Sequence, residues 1–179
     1  MSRLLVTSDI HLGHSNIHKY RTNFSTAEEH HETLFDNLAT EVRKRDSLLL
    51  LGDICFTKEW LVRLDEIKCV KKTLILGNHD TERVSIRDLV KHYDAIHSLY
   101  SKRNYWWSHA PIHPQEMRGR VANIHGHLHG NMVWQDEVEV EMPFGGSSYY
   151  SPVDTRYLNA CVEHTDWKPI NFKELTDGY

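Results

Sequence analysis

The stretch LILGNHD, residues 74–80, joins a short continuous apolar run to four residues that are polar or flexible. An apolar run without alternation is typical of a strand that is covered on both faces. Packing alone does not explain a glycine, an amide, an imidazole and a carboxylate directly after such a run. The stretch therefore predicts a buried strand whose carboxyl end carries chemically active side chains.

Two earlier stretches repeat this arrangement. Residues 4–11 read LLVTSDIH, and residues 48–53 read LLLLGD. In open α/β sheets, ligand sites form at the carboxyl ends of the strands. Three successive strands of this kind would therefore bring their polar ends to one place. The side chains expected to meet there are Asp9, His11, Asp53, Asn78 and His79.

Two later segments end in histidine in the same way. Residues 105–109 read YWWSH, and residues 121–129 read VANIHGHLH. Residues two apart in an extended chain point the same way, so His127 and His129 can face one site. The chain has 14 histidines in 179 residues, and neutral imidazole is the commonest protein metal ligand. The five strand ends together predict a metal site.

Helical patterns follow each of the three apolar runs in the first half. Each pattern begins at a residue that can cap a helix N-terminus and continues with apolar residues at helical spacing. The predicted caps are Ser25, in a capping box with Glu28, Thr57 and Ser85. The positions expected to face the core are Leu34, Leu38, Val42, Leu61, Leu64, Ile67, Ile86, Leu89 and Val90. This β-α-β-α-β-α order predicts an α/β layered domain.

The second half of the chain is expected to be richer in strands. The predicted strands cover residues 95–99, 105–108, 122–125 and 157–162, with a half-exposed strand at 138–142 where apolar and acidic residues alternate. Residues 144–152 predict a loop, and Asn171 a short final helix. His30 and His31, on the first helix, are expected to face solvent. The whole chain, residues 1–179, is expected to be one domain.

Composition limits the partners and the compartment. A net charge of −4 argues against nucleic-acid binding by bulk electrostatics, although nucleic acid stays open as a partner. No apolar run reaches the ~20 residues of a membrane span, and the N-terminal run is too short for a signal peptide. Cys55, Cys69 and Cys161 form no C-x-x-C and are expected to be reduced. We therefore expect a cytoplasmic protein with no membrane partner and an open oligomeric state.

The ordered set D-x-H, G-D, G-N-H-D, a lone histidine and G-H-x-H resembles the calcineurin-like metallophosphoesterase superfamily. These motifs span Asp9 to His129, and residues 157–175 resemble the family's closing strand and short helix. The resemblance implies an α/β fold arranged as a four-layer α-β-β-α sandwich. It also implies a dinuclear metal centre and hydrolysis of phosphodiester or phosphomonoester bonds.

The resemblance implies a role for each matching residue. The residues implied for one metal are Asp9, His11, Asp53 and His129. Those implied for the other are Asp53, Asn78, His109 and His127. Asp53 would bridge the two metals. His79 would be the catalytic histidine near the leaving group, with Asp80 orienting its ring.

Elementary electrostatics agrees with this arrangement. Two divalent cations ~3.5–4 Å apart repel each other, and a bridging carboxylate offsets that repulsion. Such a pair lowers the pKa of bound water, which gives the attacking hydroxide near neutral pH. A nitrogen and oxygen ligand set without thiolate favours transition metals, with manganese as first choice and iron, nickel or zinc as alternatives.

The substrate is less well defined by the sequence. His14, Asn16 and Arg21 follow the first motif and are candidates for binding a substrate phosphate. We expect a small phosphoester, such as a nucleotide. The alternative enzyme is a nucleic-acid phosphatase or nuclease. The alternative outside enzymes is a non-catalytic binding module on the same fold, but all seven ligand positions and His79 are present.

Two differences from known subfamilies narrow the function. The protein Ser/Thr phosphatases carry G-D-x-V-D-R-G and G-N-H-E, whereas this chain has GDICFT at 52–57 and GNHD at 77–80. A protein phosphatase is therefore not expected. The recombination nucleases of the superfamily use a further capping domain, for which 179 residues leave no room.

Overall fold

The computed structural model describes residues 2–144 and 146–177. Its first β-sheet has five strands. In spatial order they are β11 (Ile170–Asn171), β1 (Leu4–Thr7), β2 (Ser47–Leu50), β3 (Lys71–Ile75) and β4 (Ala95–His97). Strands β1 to β4 are parallel, and β11 runs antiparallel to β1. The three apolar runs of the first half therefore form adjacent strands.

A second sheet of four strands continues the chain. In spatial order its strands are β10 (Tyr157–Asn159), β7 (Asn123–His125), β6 (Tyr105–Ser108) and β5 (Leu99–Lys102). Strands β6, β7 and β10 are parallel, and β5 is antiparallel to β6. The single strand predicted at 95–99 is wrong, since the chain passes at Ser98 from β4 in the first sheet to β5 in the second.

Side chains of the first sheet alternate between two apolar layers. One layer lies under the helices on the outer face and includes Leu5, Leu48, Leu50 and Leu74. The other lies between the two sheets. It includes Leu4, Val6, Leu49, Ile75, Trp107, Ile124 and Leu158. Both faces of the first sheet are buried, which explains why its strands are continuously apolar.

Four short or medium helices complete the sandwich: α1 (Ala27–Glu41), α2 (Lys58–Arg63), α3 (Ile86–Leu89) and α4 (Phe172–Leu175). The side chains of Thr57, Ser85 and Asn171 cap α2, α3 and α4, as predicted. On the far side of the second sheet, the indole of Trp106 donates to a 3₁₀ turn at Pro114–Met117. The α/β class that the sequence predicts is confirmed.

Helix α1 differs from its prediction in two ways. Its cap is Thr26, whose hydroxyl accepts from the Glu29 amide, while the Glu29 carboxylate accepts from the Ser25 amide. The capping box thus lies one residue later than predicted. His30 and His31 are buried, not solvated. They occupy the same helix face as Leu34 and Leu38 and pack on Phe24 and Trp60.

Two further predictions need correction. Within the predicted loop at 144–152, residues Ser147–Tyr150 form β9, which pairs antiparallel with β8 (Val138–Glu141); Gly145 lies outside the described residues. Strand β8 is exposed on both faces. In α3, Leu89 is buried, but Ile86 and Val90 are exposed, because the helix is only one turn long. No helix within the described ranges is long and apolar enough to cross a membrane.

Candidate metal centre

The loops that follow β1, β2, β3, β6 and β7 meet at one edge of the two sheets. Backbone hydrogen bonds hold these loops together. They join Asp9 N to Gly52 O (3.0 Å), His11 N to Asp53 O (2.9 Å) and Gly126 N to His109 O (2.7 Å). The convergence expected from the strand ends is therefore present, and it gathers histidines and carboxylates in two groups.

The first group consists of Asp9, His11 and His129, whose ligand atoms lie within 4.8 Å of one another. Asp9 Oδ1 is 3.7 Å from Nε2 of His11 and 3.9 Å from Nε2 of His129. Three such atoms around one point match the nitrogen and oxygen set that a divalent transition metal accepts.

The second group consists of Asp53, His109 and His127, again with ligand atoms within 4.8 Å. His109 Nε2 lies 3.3 Å from Asp53 Oδ2 and 3.1 Å from His127 Nδ1. The Oδ1 atom of Asn78 is 2.9 Å from the same nitrogen. The structure thus brings all seven residues that the sequence predicts as ligands into two neighbouring clusters.

Unsatisfied polar atoms in the first group fit a bound cation. Asp9 Oδ1 and both ring nitrogens of His11 are buried and have no hydrogen-bond partner among residues 2–144 and 146–177. Leaving such an atom buried and unpaired costs ~1–3 kcal/mol. A divalent cation between Asp9 and His11 would satisfy an oxygen and a nitrogen at once, so these residues fit a metal ion.

The remaining atoms of the ligands are held by neighbouring groups. Asp9 Oδ2 accepts hydrogen bonds from the Ser8 hydroxyl (2.6 Å), the His127 amide (2.8 Å) and the Cys161 thiol (3.1 Å). These bonds direct Oδ1 alone toward the site. His109 Nδ1 lies 2.8 Å from the Leu51 carbonyl. That nitrogen must carry the proton, so Nε2 offers its lone pair to the second group.

Both carboxylates are ionised at neutral pH. Burial raises the pKa of Asp9, but the nearby rings of His11 and His109, together with hydrogen bonds from the Ser8 hydroxyl and the His127 amide, outweigh it and hold that pKa below its ordinary value. Burial likewise raises the pKa of Asp53, but the nearby His109 ring and a hydrogen bond from the His79 amide outweigh it, so this pKa also lies below its ordinary value. The centre therefore presents two buried negative charges, which a pair of cations would neutralise.

The backbone at the ligands is unusual. Five of the seven have a left-handed conformation, with φ between 50° and 70°: Asp9, His11, Asp53, His127 and His129. A non-glycine residue in this region stores on the order of 1–2 kcal/mol. Such strain is typical of functional sites, where the surrounding structure fixes side chains that relaxed loops would direct elsewhere.

Close packing of the loops depends on glycine at two positions. A Cβ atom added at Gly126 would overlap Ser8 Oγ and Asp9 Oδ2, and one added at Gly77 would overlap the Asp53 carboxylate. Any side chain at these positions would displace a ligand. The glycines of the G-N-H-D and G-H-x-H motifs therefore allow the carboxylates to approach the neighbouring loops.

His79 lies beside the two groups rather than within either of them. Its ring is 6.0 Å from that of His11 and 5.4 Å from that of Phe56. Its Nδ1 atom is 2.8 Å from Oε1 of Glu82. Glu82 therefore takes the place expected for Asp80.

The orienting role predicted for Asp80 needs correction. Its carboxylate is buried and accepts hydrogen bonds from the amides of Asp53 (3.0 Å), Ile54 (2.9 Å) and Gly77 (2.8 Å). The side chain points away from the surface where His79 lies, because it closes the turns after β2 and β3. Asp80 thus holds the loop that carries Asp53.

Arg21, predicted to bind a substrate phosphate, also needs correction. It is 5% exposed, and its Nε and Nη2 atoms both donate to Glu163 Oε1, at 2.9 Å and 2.7 Å. Its other bonds reach the carbonyls of Asp9 and Ile10 and the ring of His30. All five donors are therefore engaged within the protein, and none is free for a phosphate.

A cleft of about 820 Å³ opens beside the first ligand group. It is lined by His11, His79 and His129 and also by Tyr20 and Trp167. His14, a predicted substrate residue, also lines this cleft. Asn16 lines a neighbouring cavity of about 320 Å³ together with His14. A cleft of this size suits a small molecule.

The structure adds two functional side chains that the sequence reasoning missed, Glu82 and Glu163. Glu163 Oε1 is 2.9 Å from Nδ1 of His129. The sequence does contain one signal for Glu163. Like Asp9 after β1, it is a polar residue that follows the carboxyl end of a buried strand, here β10. Glu82 lies in a loop and carries no comparable signal.

A layered α/β fold with two histidine and carboxylate clusters at its strand ends is the arrangement of a metal-binding protein. The sequence model of the calcineurin-like phosphoesterases matches residues 2–171. The chain therefore belongs to the calcineurin-like phosphoesterase family and is a metal-dependent phosphoester hydrolase.

Several known proteins are similar to this chain. An uncharacterized protein of Methanocaldococcus jannaschii is 27% identical over 175 residues, which cover 96% of this chain and 88% of the relative. The gene 66 protein of Mycobacterium phage L5 is 38% identical over 95 residues, 51% of this chain and 46% of its own. A solved structure from Aquifex aeolicus, of unknown function, matches with a TM-score of 0.69 at 23% identity and covers 98% of both chains. That likeness shows the fold alone.

Proposed function

We propose that the protein is a dinuclear metal phosphoesterase that hydrolyses a small phosphodiester or phosphomonoester, such as a nucleotide. The observation that carries this proposal is the presence of two ligand groups side by side, one around Asp9 and one around Asp53. Asp53 contacts members of both groups: its Oδ2 atom is 3.3 Å from Nε2 of His109, and its carbonyl accepts from the His11 amide at 2.9 Å. This proximity to both groups supports Asp53 as the bridging ligand.

Two divalent cations would be held by the seven ligands, with manganese as first choice and iron, nickel or zinc as alternatives. When bound, they would supply an activated water as the nucleophile and would neutralise charge on the phosphoryl oxygens. The protein's own contribution is to aim the ligand atoms. Asp9 Oδ1 and His109 Nε2 face the site because Asp9 Oδ2 and His109 Nδ1 are already bonded.

His79 is the proposed general acid. The Glu82 carboxylate accepts from Nδ1 of His79, which orients the ring and leaves its other nitrogen, Nε2, to carry the proton that is donated. That proton would pass from Nε2 to the leaving oxygen as its bond to phosphorus breaks. His79 is partly exposed, with 37% of its side chain accessible, so a substrate can reach it without a conformational change.

The cleft beside the metal ligands supports a small organic leaving group. Its outer wall carries Tyr20, which is 78% exposed, and Trp167. A planar ring such as a nucleobase can stack on an exposed aromatic side chain such as that of Tyr20. His14 and Asn16 remain the proposed contacts for a phosphate, since both line cavities next to His79.

The test is a turnover screen with purified, manganese-loaded protein. We expect hydrolysis of at least one class among nitrophenyl phosphoesters, cyclic nucleotides, nucleoside polyphosphates and short oligonucleotides. Asp53→Asn should lose metal at both positions together with activity, whereas Asp166→Asn, an exposed control, should retain both. A protein that binds two metals but turns over none of these substrates would be a binding module, against the proposal.

We also propose a cytoplasmic location. Cys55, Cys69 and Cys161 are all free. Burial raises the pKa values of the Cys55 and Cys161 thiols well above that of an ordinary cysteine. Buried protonated thiols suit a reducing compartment. A thiol titration of the denatured native protein should count three; a count of one would reveal a disulfide and contradict this location.

A further inference from the structure

A chain of polar contacts lies behind the first ligand group. Glu163 lies in the 3₁₀ turn Val162–His164, and 17% of its side chain is exposed. A single oxygen of this carboxylate, Oε1, contacts Nδ1 of His129 at 2.9 Å and two guanidinium nitrogens of Arg21 at 2.9 Å and 2.7 Å. We call Arg21, Glu163 and His129 the polar strap.

The polar strap joins three distant segments of the chain. Arg21 follows β1 and donates to the Asp9 carbonyl at 2.6 Å. His129 ends the loop after β7, and Glu163 follows β10. Arg21 therefore fixes Glu163 against the backbone of a ligand, and Glu163 fixes the ring of another ligand. The polar strap therefore connects the backbone of Asp9 to the ring of His129, two ligands of the first group.

The contact with Glu163 also sets the tautomer of His129. A carboxylate only accepts hydrogen bonds, so Nδ1 of His129 must carry a proton. Nε2, which lies 3.9 Å from Asp9 Oδ1, is then the atom with a free lone pair. In the second group, the corresponding contact of His109 is the Leu51 carbonyl. His129 in the first group is thus bonded to a carboxylate, whereas His109 in the second group is bonded to a neutral carbonyl.

We propose that Glu163 is a positioning residue for the metal held by Asp9, His11 and His129, and that Arg21 holds Glu163 in place. This inference rests on the proposed function, because it concerns a metal of that site. Glu163 would fix the orientation and tautomer of His129 and make its Nε2 a stronger donor. Loss of such a partner typically weakens metal affinity ~10–100-fold.

The test is a calorimetric titration of metal-free protein with manganese alone. We expect two binding events in the wild type. Glu163→Gln keeps the shape of the side chain but removes its charge, so one event should weaken ~10–100-fold while the other stays unchanged. Asp166→Asn, an exposed carboxylate three residues away, should match the wild type. Arg21→Lys should weaken the same event to a smaller extent.

The outcomes separate this inference from the proposed function. Two events of unchanged affinity in folded Glu163→Gln would overturn the positioning role and leave the phosphoesterase proposal intact. Equal weakening of both events would also overturn it, since the effect would then be general. A wild type with two events but no turnover would count against the proposed function alone. A wild type that bound no manganese would overturn both.

A measurement on the wild type keeps the inference testable if Glu163→Gln does not fold. In zinc-loaded protein, proton–nitrogen correlation spectra of the imidazole rings report which nitrogen carries hydrogen. We expect His129 to have its proton on Nδ1 and zinc on Nε2, with that proton protected from exchange by Glu163. Zinc on Nδ1 of His129 would overturn the proposal.

Discussion

Asp80 and Glu82 lie two residues apart, yet the structure predicts opposite consequences when each loses its charge. Asp80 accepts three hydrogen bonds from buried amides, through both of its oxygens. Asp80→Asn would keep one oxygen and turn an NH₂ group toward at least one of those amides. The lost charged bond and the unpaired donor together should cost about 2–5 kcal/mol of folding free energy.

Glu82→Gln should behave differently, because the pair of Glu82 with His79 is exposed on both sides. Exposed pairs are worth ~0.2–1 kcal/mol, so removing this charge should lower the rate by at most about fivefold. The loss should be larger for an alkyl phosphoester, whose leaving oxygen needs a proton, than for a nitrophenyl ester. Folding stability should stay within about 0.5 kcal/mol of the wild type.

Two assays distinguish these effects. Urea unfolding of the metal-free variants gives the free energy of unfolding, and kcat of the manganese-loaded variants on the two esters gives the leaving-group dependence. A stable Asp80→Asn protein that is impaired only on the alkyl ester would refute the reasoning. Asp80 would then act on His79 in solution despite its buried contacts.

Three further predictions follow from the same structure. His79→Ala should retain two manganese ions by elemental analysis yet lose ~10²–10⁴ in kcat on an alkyl phosphoester; wild-type turnover would exclude the acid role. Gly126→Ala should weaken manganese binding at least about fivefold, because its Cβ would overlap Ser8 and Asp9 and such overpacking costs ~1–3 kcal/mol; Gly130→Ala, with no atom within 4 Å, is the control. Burial lowers the pKa of His31 to about 4, so the unfolded chain, with a pKa of ~6.5, takes up the proton first as pH falls. The free energy of unfolding should therefore decrease from pH 6.5 toward 4 by up to ~1.4 kcal/mol per pH unit. Urea unfolding of His31→Phe at several pH values should show a weaker pH dependence; an unchanged pH dependence would mean that His31 is protonated in the folded state.

Much of the fold could be predicted because the first sheet is buried on both faces. Continuous apolar runs give β1, β2 and β3, and the polar residues after them mark the edge where the ligands meet. The same reasoning could have reached two results that it missed. His30 and His31 share the helical spacing of Leu34 and Leu38, which predicts burial. Their polar character suggested solvent instead, although Arg21 and Phe24 contact His30 and Trp60 packs on His31.

Other features have no local signal in the sequence. The break at Ser98 between β4 and β5 depends on which sheet each strand joins, and the run 95–99 is uniform enough to suggest one strand. The contact between Arg21 and Glu163 spans 142 residues, so spacing cannot reveal it. The resemblance implies Asp80 as the partner of His79, but the turn directs that carboxylate inward, where it accepts from the Gly77 amide.

The left-handed backbone at the ligands ties these observations to function. Five ligands hold conformations that each store on the order of 1–2 kcal/mol, and the fold maintains them through bonds to groups other than the metal. Asp80 holds the Asp53 loop, Ser8 and Cys161 hold Asp9, and Glu163 holds His129. Because the protein rather than the cation opposes the strain, the ligand atoms are already in place before metal binds. Metal affinity should therefore respond to these supporting residues almost as strongly as to the ligands themselves.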